Sequence, residues 1–164
     1  SLPAVRAVSR HIVAEPEPLS ADSVLRCHAG RSIVLLNTVG RAQAMFEALR
    51  RNPETGNLPI MLLHSRFFKG DRRAKEERLR FLFGKESKGP AILVATQVVE
   101  AGLNMSCDHL HTEVCPMNAL IQRAGRCARF EGETGTVHVY PLPSEDRAWL
   151  PYGDLHREQP MPPR

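Results

Sequence analysis

The sequence predicts an α/β domain, with a mainly parallel sheet flanked by helices. Three short apolar runs predict it: "SIVLL" (Ser32–Leu36), "LPIMLLH" (Leu58–His64) and "AILVAT" (Ala91–Thr96). Runs of this length, bounded by turn residues, are typical of strands buried on both faces. Segments of helical period separate them, and strands alternating with helices imply βαβ units.

The elements follow in order. "AVRAVSRHIVA" (4–14) reads as a first strand. "SADSVLRCHAG" reads as a short helix, with Ser20 as N-cap and Gly30 as the stop. After "SIVLL", the segment "GRAQAMFEALRR" sets Ala44, Met45, Ala48 and Leu49 at helical spacing. "LPIMLLH" is followed by "GDRRAKEERLRFLFG", a charged amphipathic helix ended by Gly84. "AILVAT" leads into "QVVEAGL", a short helix. "DHLHTEV" alternates as a strand does. "MNALIQRAGRCAR" reads as a helix opening after Pro116, which would set Arg123, Arg126 and Arg129 on neighbouring positions of one face. "TGTVHVYPL" is a last strand. In open parallel sheets, functional loops lie beyond the carboxyl ends of the strands. That rule singles out the loops after Leu36, Leu63 and Ala95.

Residues 1–29 lead into the domain, 30–140 form its body, and 141–164 carry six of the 13 prolines. The last segment reads as an extended arm or linker, which Trp149, Leu150 and Tyr152 would dock onto the body. A length of 164 residues suits one domain with a real core. No apolar run is long enough to span a bilayer and no signal peptide is visible, so a cytoplasmic setting is expected. The chain opens on Ser1 rather than Met, as an excised piece of a longer protein would. Cys27, Cys107, Cys115 and Cys127 form no C-x-x-C pair, which fits a reduced compartment.

Net charge is +4. All but Lys69, Lys75, Lys85 and Lys88 of the 22 basic residues are Arg. Arg pairs bidentately with phosphate oxygens, though a genome favouring Arg codons would produce the same bias. The charge is compatible with a polyanion partner and does not demand one.

Three stretches could carry chemistry. In "LLHSRFFKGDR", His64, Ser65 and Arg66 follow a buried strand and are suitable donors to a phosphodiester backbone. In "VATQVVEAGLNM", Thr96 ends a buried strand before a helix whose first N–H groups could hold a phosphate. In "QRAGRCAR", Gly125 permits close backbone approach, and Arg126 and Arg129 can converge on one small anion. Each has a plain alternative: a polar loop, a capping threonine, three solvated arginines. Cys107, His109, His111 and Cys115 offer a rival zinc constellation, in which residues 107, 109 and 111 would share a strand face. No C-x-x-C or H-x-x-x-H knuckle supports it, and small apolar cysteines are the simpler account, so no metal ligand is assigned here.

Together the three stretches resemble the second RecA-like domain of superfamily 2 helicases. "SIVLLNTVGRAQAMFEAL" looks like motif IV, "TQVVEAGLNM" like motif V and "QRAGRCAR" like motif VI. Within that superfamily the wording is most similar to the CRISPR-associated helicase–nuclease of type I interference systems. The resemblance implies a RecA-like three-layer fold and the C-terminal half of an ATP-driven motor on single-stranded DNA, in prokaryotic antiviral defence. It implies that Gln122, Arg126 and Arg129 face the nucleotide, the arginines as fingers, with Gly102 and Asn104 beside it. Asn104 stands where many relatives carry Asp, so its role toward nucleotide is open. It implies that His64, Ser65, Arg66, Thr96, Asn37 and Thr38 line the nucleic-acid path.

No G-x-x-x-x-G-K-[ST] and no D-E-x-H or D-E-x-D occurs in the sequence. The resemblance therefore implies that ATP and its Mg²⁺ are held mostly by an N-terminal RecA-like domain, and that this chain alone is inactive. A CRISPR RNA-guided surveillance complex is the further partner implied. Two other readings stay open: another superfamily 2 RNA or DNA helicase half, and a non-catalytic nucleic-acid-binding module.

Overall fold

A computed structural model describes residues 7–64, 72–87, 89–97 and 103–144. Ser65, Arg66 and Gly102, most of the expected "QVVEAGL" helix, and the expected docking residues Trp149, Leu150 and Tyr152 lie outside the described residues. Six strands form one sheet: β1 (Ser9–Ala14), β2 (Arg31–Leu35), β3 (Ile60–Leu63), β4 (Ala91–Ala95), β5 (His109–Glu113) and β6 (Thr134–Tyr140). Their order is β1-β6-β5-β2-β4-β3, and every neighbouring pair is parallel. The helices are α1 (Ala21–Cys27), α2 (Val39–Arg51), α3 (Arg72–Phe83) and α4 (Met117–Ala124). This is the expected three-layer α/β architecture.

The apolar runs became the central strands because both their faces are covered. Every residue of β2 and of β4 is buried. On one face Val34, Ile92 and Val94 pack with Val24 of α1 and with Ala42, Met45 and Leu49 of α2. On the other, Ile33, Leu35, Leu93 and Leu110 pack with Leu79, Leu82 and Phe83 of α3. Burial of these side chains contributes about 1.5–3 kcal/mol each.

Local signals set most helix ends. Ser20 and Ser23 form a reciprocal capping box at α1, and Thr38 Oγ1 accepts the Arg41 N–H at α2. Gly84 follows α3 directly, and its N–H donates to Arg80 O. Two expected ends were wrong. The last helical residue of α1 is Cys27 and its C-cap is His28, not Gly30. Gly30 instead turns the chain into β2 at φ +71. The helix α4 stops at Ala124, so "MNALIQRAGRCAR" is not one helix. Beyond it the chain is drawn into the sheet edge: Cys107 donates N–H to Arg126 O, and Ala128 donates to Cys107 O. These bonds replace the helical ones, so Arg126 and Arg129 share no helix face with Arg123.

Candidate functional site

The predicted residues fall at two opposite ends of the sheet. Asn37, Thr38, His64 and Thr96 follow the carboxyl ends of β2, β3 and β4. Arg126 and Arg129 come after α4 has carried the chain back to the amino end of β6. A five-residue strand separates the two ends by roughly 15 Å. The two arginines that the resemblance assigns to the nucleotide thus lie at the end opposite the three loops that the carboxyl-end rule singled out. A helix crossing between parallel strands must return its own C-terminus to the amino edge.

At the carboxyl end, Asn37 is buried and fully engaged. Its Nδ2 donates to Val114 O at 3.0 Å, and its Oδ1 accepts from Arg123 Nη1 at 3.1 Å. Its N–H donates to Glu113 Oε2, and its carbonyl accepts from Gln97 Nε2. Arg41 grips the same buried Glu113 through Nε and Nη2, at 2.7 and 2.8 Å. The Asn37 side chain thus ties β2 to β5 and α4. Thr38 caps α2 and keeps a hydroxyl proton to donate. His64 and Thr96 are buried at the strand ends, 3% and 2% exposed, since each directly continues a strand of the core.

Arg123 is the largest fully buried side chain among the described residues. Its Nη1 also donates to Thr112 Oγ1 at 2.9 Å. The expected stripe of three equivalent arginines dissolves here: one is internal, one covered near the surface, one exposed. The covered one is Arg126, 6% exposed, with Nη1 donating to Leu103 O. Burial, and then the neighbouring Arg129 charge, pulls its pKa below the usual guanidinium value. Of the two arginines that the resemblance sets facing the nucleotide, only Arg129 is exposed. Its Nε donates to Asn104 Oδ1 at 2.9 Å, and its backbone N–H to Ser106 Oγ at 3.0 Å. Gln122 is exposed on α4. Arg126, Arg129 and Asn104 thus meet at the amino edge, as motif VI brought against motif V.

This amino edge rests on groups that the sequence had not singled out. Glu133 accepts from Ser106 Oγ, from Phe130 N–H at 3.0 Å and from Arg31 Nη2 at 3.1 Å. Burial pushes its pKa up, and these bonds outweigh that and hold it below the usual carboxylate value. Arg31, buried, also donates its N–H to Asp108 Oδ2 at 2.8 Å. Gly135 matters by size: a Cβ there would lie 2.5 Å from Cys127 Sγ and 2.8 Å from Asp108 O. Only the glycine in "GETGTVHV" hinted at such a close approach, because an isolated glycine at a strand start marks one.

Residues 28–132 match a family described as CRISPR-associated nuclease/helicase Cas3, C-terminal. The chain belongs to this Cas3-like family. Its relatives include the CRISPR-associated endonuclease/helicase Cas3 of Escherichia coli, 38% identical over 129 residues, which covers 70% of this chain and 14% of that protein. The protein of the same description from Thermus thermophilus is 40% identical over 84 residues, 50% of this chain and 9% of that one. The Cas3-like chain thus spans a small part of the curated relatives it matches. Among solved structures, T. fusca Cas3-ADP superposes with a TM-score of 0.70 at 25% identity, covering 92% of this chain and 20% of that chain. The second domain of the Mss116p DEAD-box helicase, bound to an RNA duplex, gives 0.57 at 21% identity over 80% of this chain and 53% of that one, which speaks for the RecA-like fold. The Cas3-like domain thus corresponds to the C-terminal part that the family description names.

The Cas3-like fold also disposes of the zinc constellation. Cys107 packs in the cluster with Leu110 and Cys127, on the face opposite His111. His109 and His111 are instead stacked with His138, at ring separations of 5.4 and 4.7 Å. His109 Nδ1 lies 3.1 Å from His138 Nε2 and His111 Nδ1 lies 2.8 Å from the Tyr140 hydroxyl, so each histidine is engaged by its own partner. Among the described residues no group of three His, Cys, Asp or Glu could hold a metal.

Proposed function

We propose that this chain is the C-terminal motor half of an ATP-dependent helicase that translocates on single-stranded DNA, supplying the arginines of a nucleotide site shared with a preceding RecA-like domain. The observation that carries the reading is the convergence of Arg126, Arg129 and Asn104 at one edge of a Cas3-like helicase domain. Relatives solved as T. fusca Cas3-ATP, Cas3-AMPPNP and Cas3-ADP support the choice of ligand.

The residues fit half of a nucleotide site. Arg129 is exposed, with its Nε on Asn104, and Arg126 lies beside it. ATP supplies the anhydride whose γ-phosphoryl group passes to water, and Mg²⁺ on the other domain neutralises part of the charge. Arg129 and Arg126 place positive charge where negative charge grows on that group. Gln122, exposed in the last turn of α4, would offer its amide to the same nucleotide. Asn104 borders it, and the resemblance assigns Gly102 to the same nucleotide.

The strand path runs over the opposite end, on His64, Thr96 and Thr38, with Asn37 bracing it from below, and the resemblance assigns Ser65 and Arg66 to the same path. Nucleotide and strand sites at the two ends of one rigid sheet would let closure of the cleft shift the grip on the strand. The solved complex described as a CRISPR RNA-guided surveillance complex, pre-nicking, supports an effector assembly as partner; it superposes at a TM-score of 0.59 and 28% identity.

The test is steady-state ATP hydrolysis by the full-length protein with saturating single-stranded DNA. Arg129→Ala is expected to lower turnover by about 10³- to 10⁵-fold, as for other arginine fingers. Turnover equal to that of the parent would remove Arg129 from the site.

A further inference from the structure

We propose that Asn104 is a positioning residue for Arg129: it holds the guanidinium by Nε alone, so that both terminal nitrogens point outward toward phosphate. The inference rests on the reading of Arg129 as a nucleotide-facing arginine, and it gives Asn104 a role through that arginine rather than on the nucleotide.

The backbone around Arg129 is fixed first. Three successive N–H groups are bonded: Ala128 to Cys107 O at 3.0 Å, Arg129 to Ser106 Oγ at 3.0 Å, and Phe130 to Glu133 Oε2 at 3.0 Å. Ala128 itself sits at φ +47, in the left-handed region that L-residues with a Cβ rarely adopt. Such a conformation persists where the surroundings over-determine it. Ser106 carries the chain of contacts inward, donating its hydroxyl to Glu133, which Arg31 holds from the other side. The Cα of Arg129 is thus pinned to the edges of β5 and β6.

What remains free is the long side chain. Asn104, two residues before Ser106 on the same segment, supplies its acceptor at 2.9 Å. Engagement at Nε restricts the side-chain torsions and leaves both Nη groups to a ligand. Ordering that is complete before the ligand arrives does not have to be repeated in the transition state. A neutral amide achieves this without cancelling the positive charge, which a carboxylate would partly do. Arg126 is held differently, by Leu103 O on the neighbouring residue, so one short segment aligns both arginines.

The experiment compares parent, Asn104→Ala, Asn104→Asp, Arg129→Ala and Asn104→Ala/Arg129→Ala in the full-length protein. Hydrolysis rates are measured against ATP concentration with saturating single-stranded DNA. Asn104→Ala is expected to lower kcat by roughly 3- to 10-fold, the worth of one hydrogen bond, with KM for ATP within about twofold. In the Arg129→Ala background it should cost nothing further, because a residue acting through another is silent once that other is gone. Asn104→Asp keeps an acceptor but partly cancels the arginine's charge, so its kcat should lie between that of the parent and that of Asn104→Ala. The proposal is overturned by an unchanged kcat in Asn104→Ala, by a raised KM at constant kcat, or by an equal loss in both backgrounds. The last two would mean that Asn104 touches the nucleotide directly. It is also overturned if Asn104→Asp falls to the alanine level. Failure of the underlying reading would appear separately, as normal turnover in Arg129→Ala.

Discussion

Replacing each arginine of "QRAGRCAR" by alanine should produce three different outcomes, ordered by burial. Arg123 is fully buried, with Nη1 on Asn37 Oδ1 at 3.1 Å and Thr112 Oγ1 at 2.9 Å. Thr112 keeps a second bond, from Oγ1 to Glu113 O, but the buried Asn37 oxygen is left without its donor. An orphaned buried acceptor costs about 1–3 kcal/mol, and the void left by the arginine stem about 2 kcal/mol more. The sum, about 3–5 kcal/mol, is a large part of the roughly 5–15 kcal/mol that stabilises a domain. At about 2–4 °C per kcal/mol for a chain of this size, Tm should fall by roughly 6–20 °C. Arg126→Ala loses the bond to Leu103 O, with the other contacts of its guanidinium and some covered stem, and should cost about 1–2 kcal/mol. Arg129→Ala should stay within about 0.5 kcal/mol, as for ordinary surface changes. Arg123→Met, which keeps most of the volume, should recover the void contribution but not the Asn37 bond. Thermal melts followed by circular dichroism check the order. Three equal melting temperatures, or an Arg123→Ala variant within about 2 °C of the parent, would refute the reasoning.

The isolated chain should not hydrolyse ATP, because it carries neither the phosphate-binding loop nor the acidic Mg²⁺ motif; turnover that survives repurification and disappears in Arg126→Ala would contradict this. Single-stranded oligonucleotides should bind it weakly and lose affinity steeply with salt, as contacts dominated by phosphate do; fluorescence anisotropy at low and high salt tests it, and tight binding indifferent to salt would speak against it. Acid should weaken the fold well above the carboxylate range. Burial first, then the His138, His109 and His28 charges, push His111 down to about 3. The unfolded chain binds that proton near pH 6.5 and the folded one does not, so stability is full above pH 6.5 and falls as pH drops toward 3. At pH 5 the loss from His111 alone is about 2 kcal/mol. Urea titrations at pH 7 and pH 5 read it out; equal midpoints would show that His111 protonates without opening the fold.

The sequence by itself determined the order and kind of the elements and the family. "SIVLL" and "AILVAT" could only be strands covered on both faces, and the three motifs lie in the order that a Cas3-like helicase domain requires. Burial on both faces leaves an apolar signature that does not depend on what does the covering. Only the tertiary structure decided what each arginine does. Three arginines at equal spacing look alike in a string. Arg123 is turned inward by Asn37 and Thr112, which lie 86 and 11 residues away. The chain leaves the helix before Arg126 because Cys107 and Ser106 offer it better partners, and Asn104 meets Arg129 across 25 residues. Those partners are remote in sequence and adjacent in space, so no local period or propensity could announce them. The separation of Arg126 and Arg129 from Asn37, Thr38, His64 and Thr96 to opposite ends of the sheet has the same origin: it follows from the return path of α4, which exists only once β5 and β6 are paired.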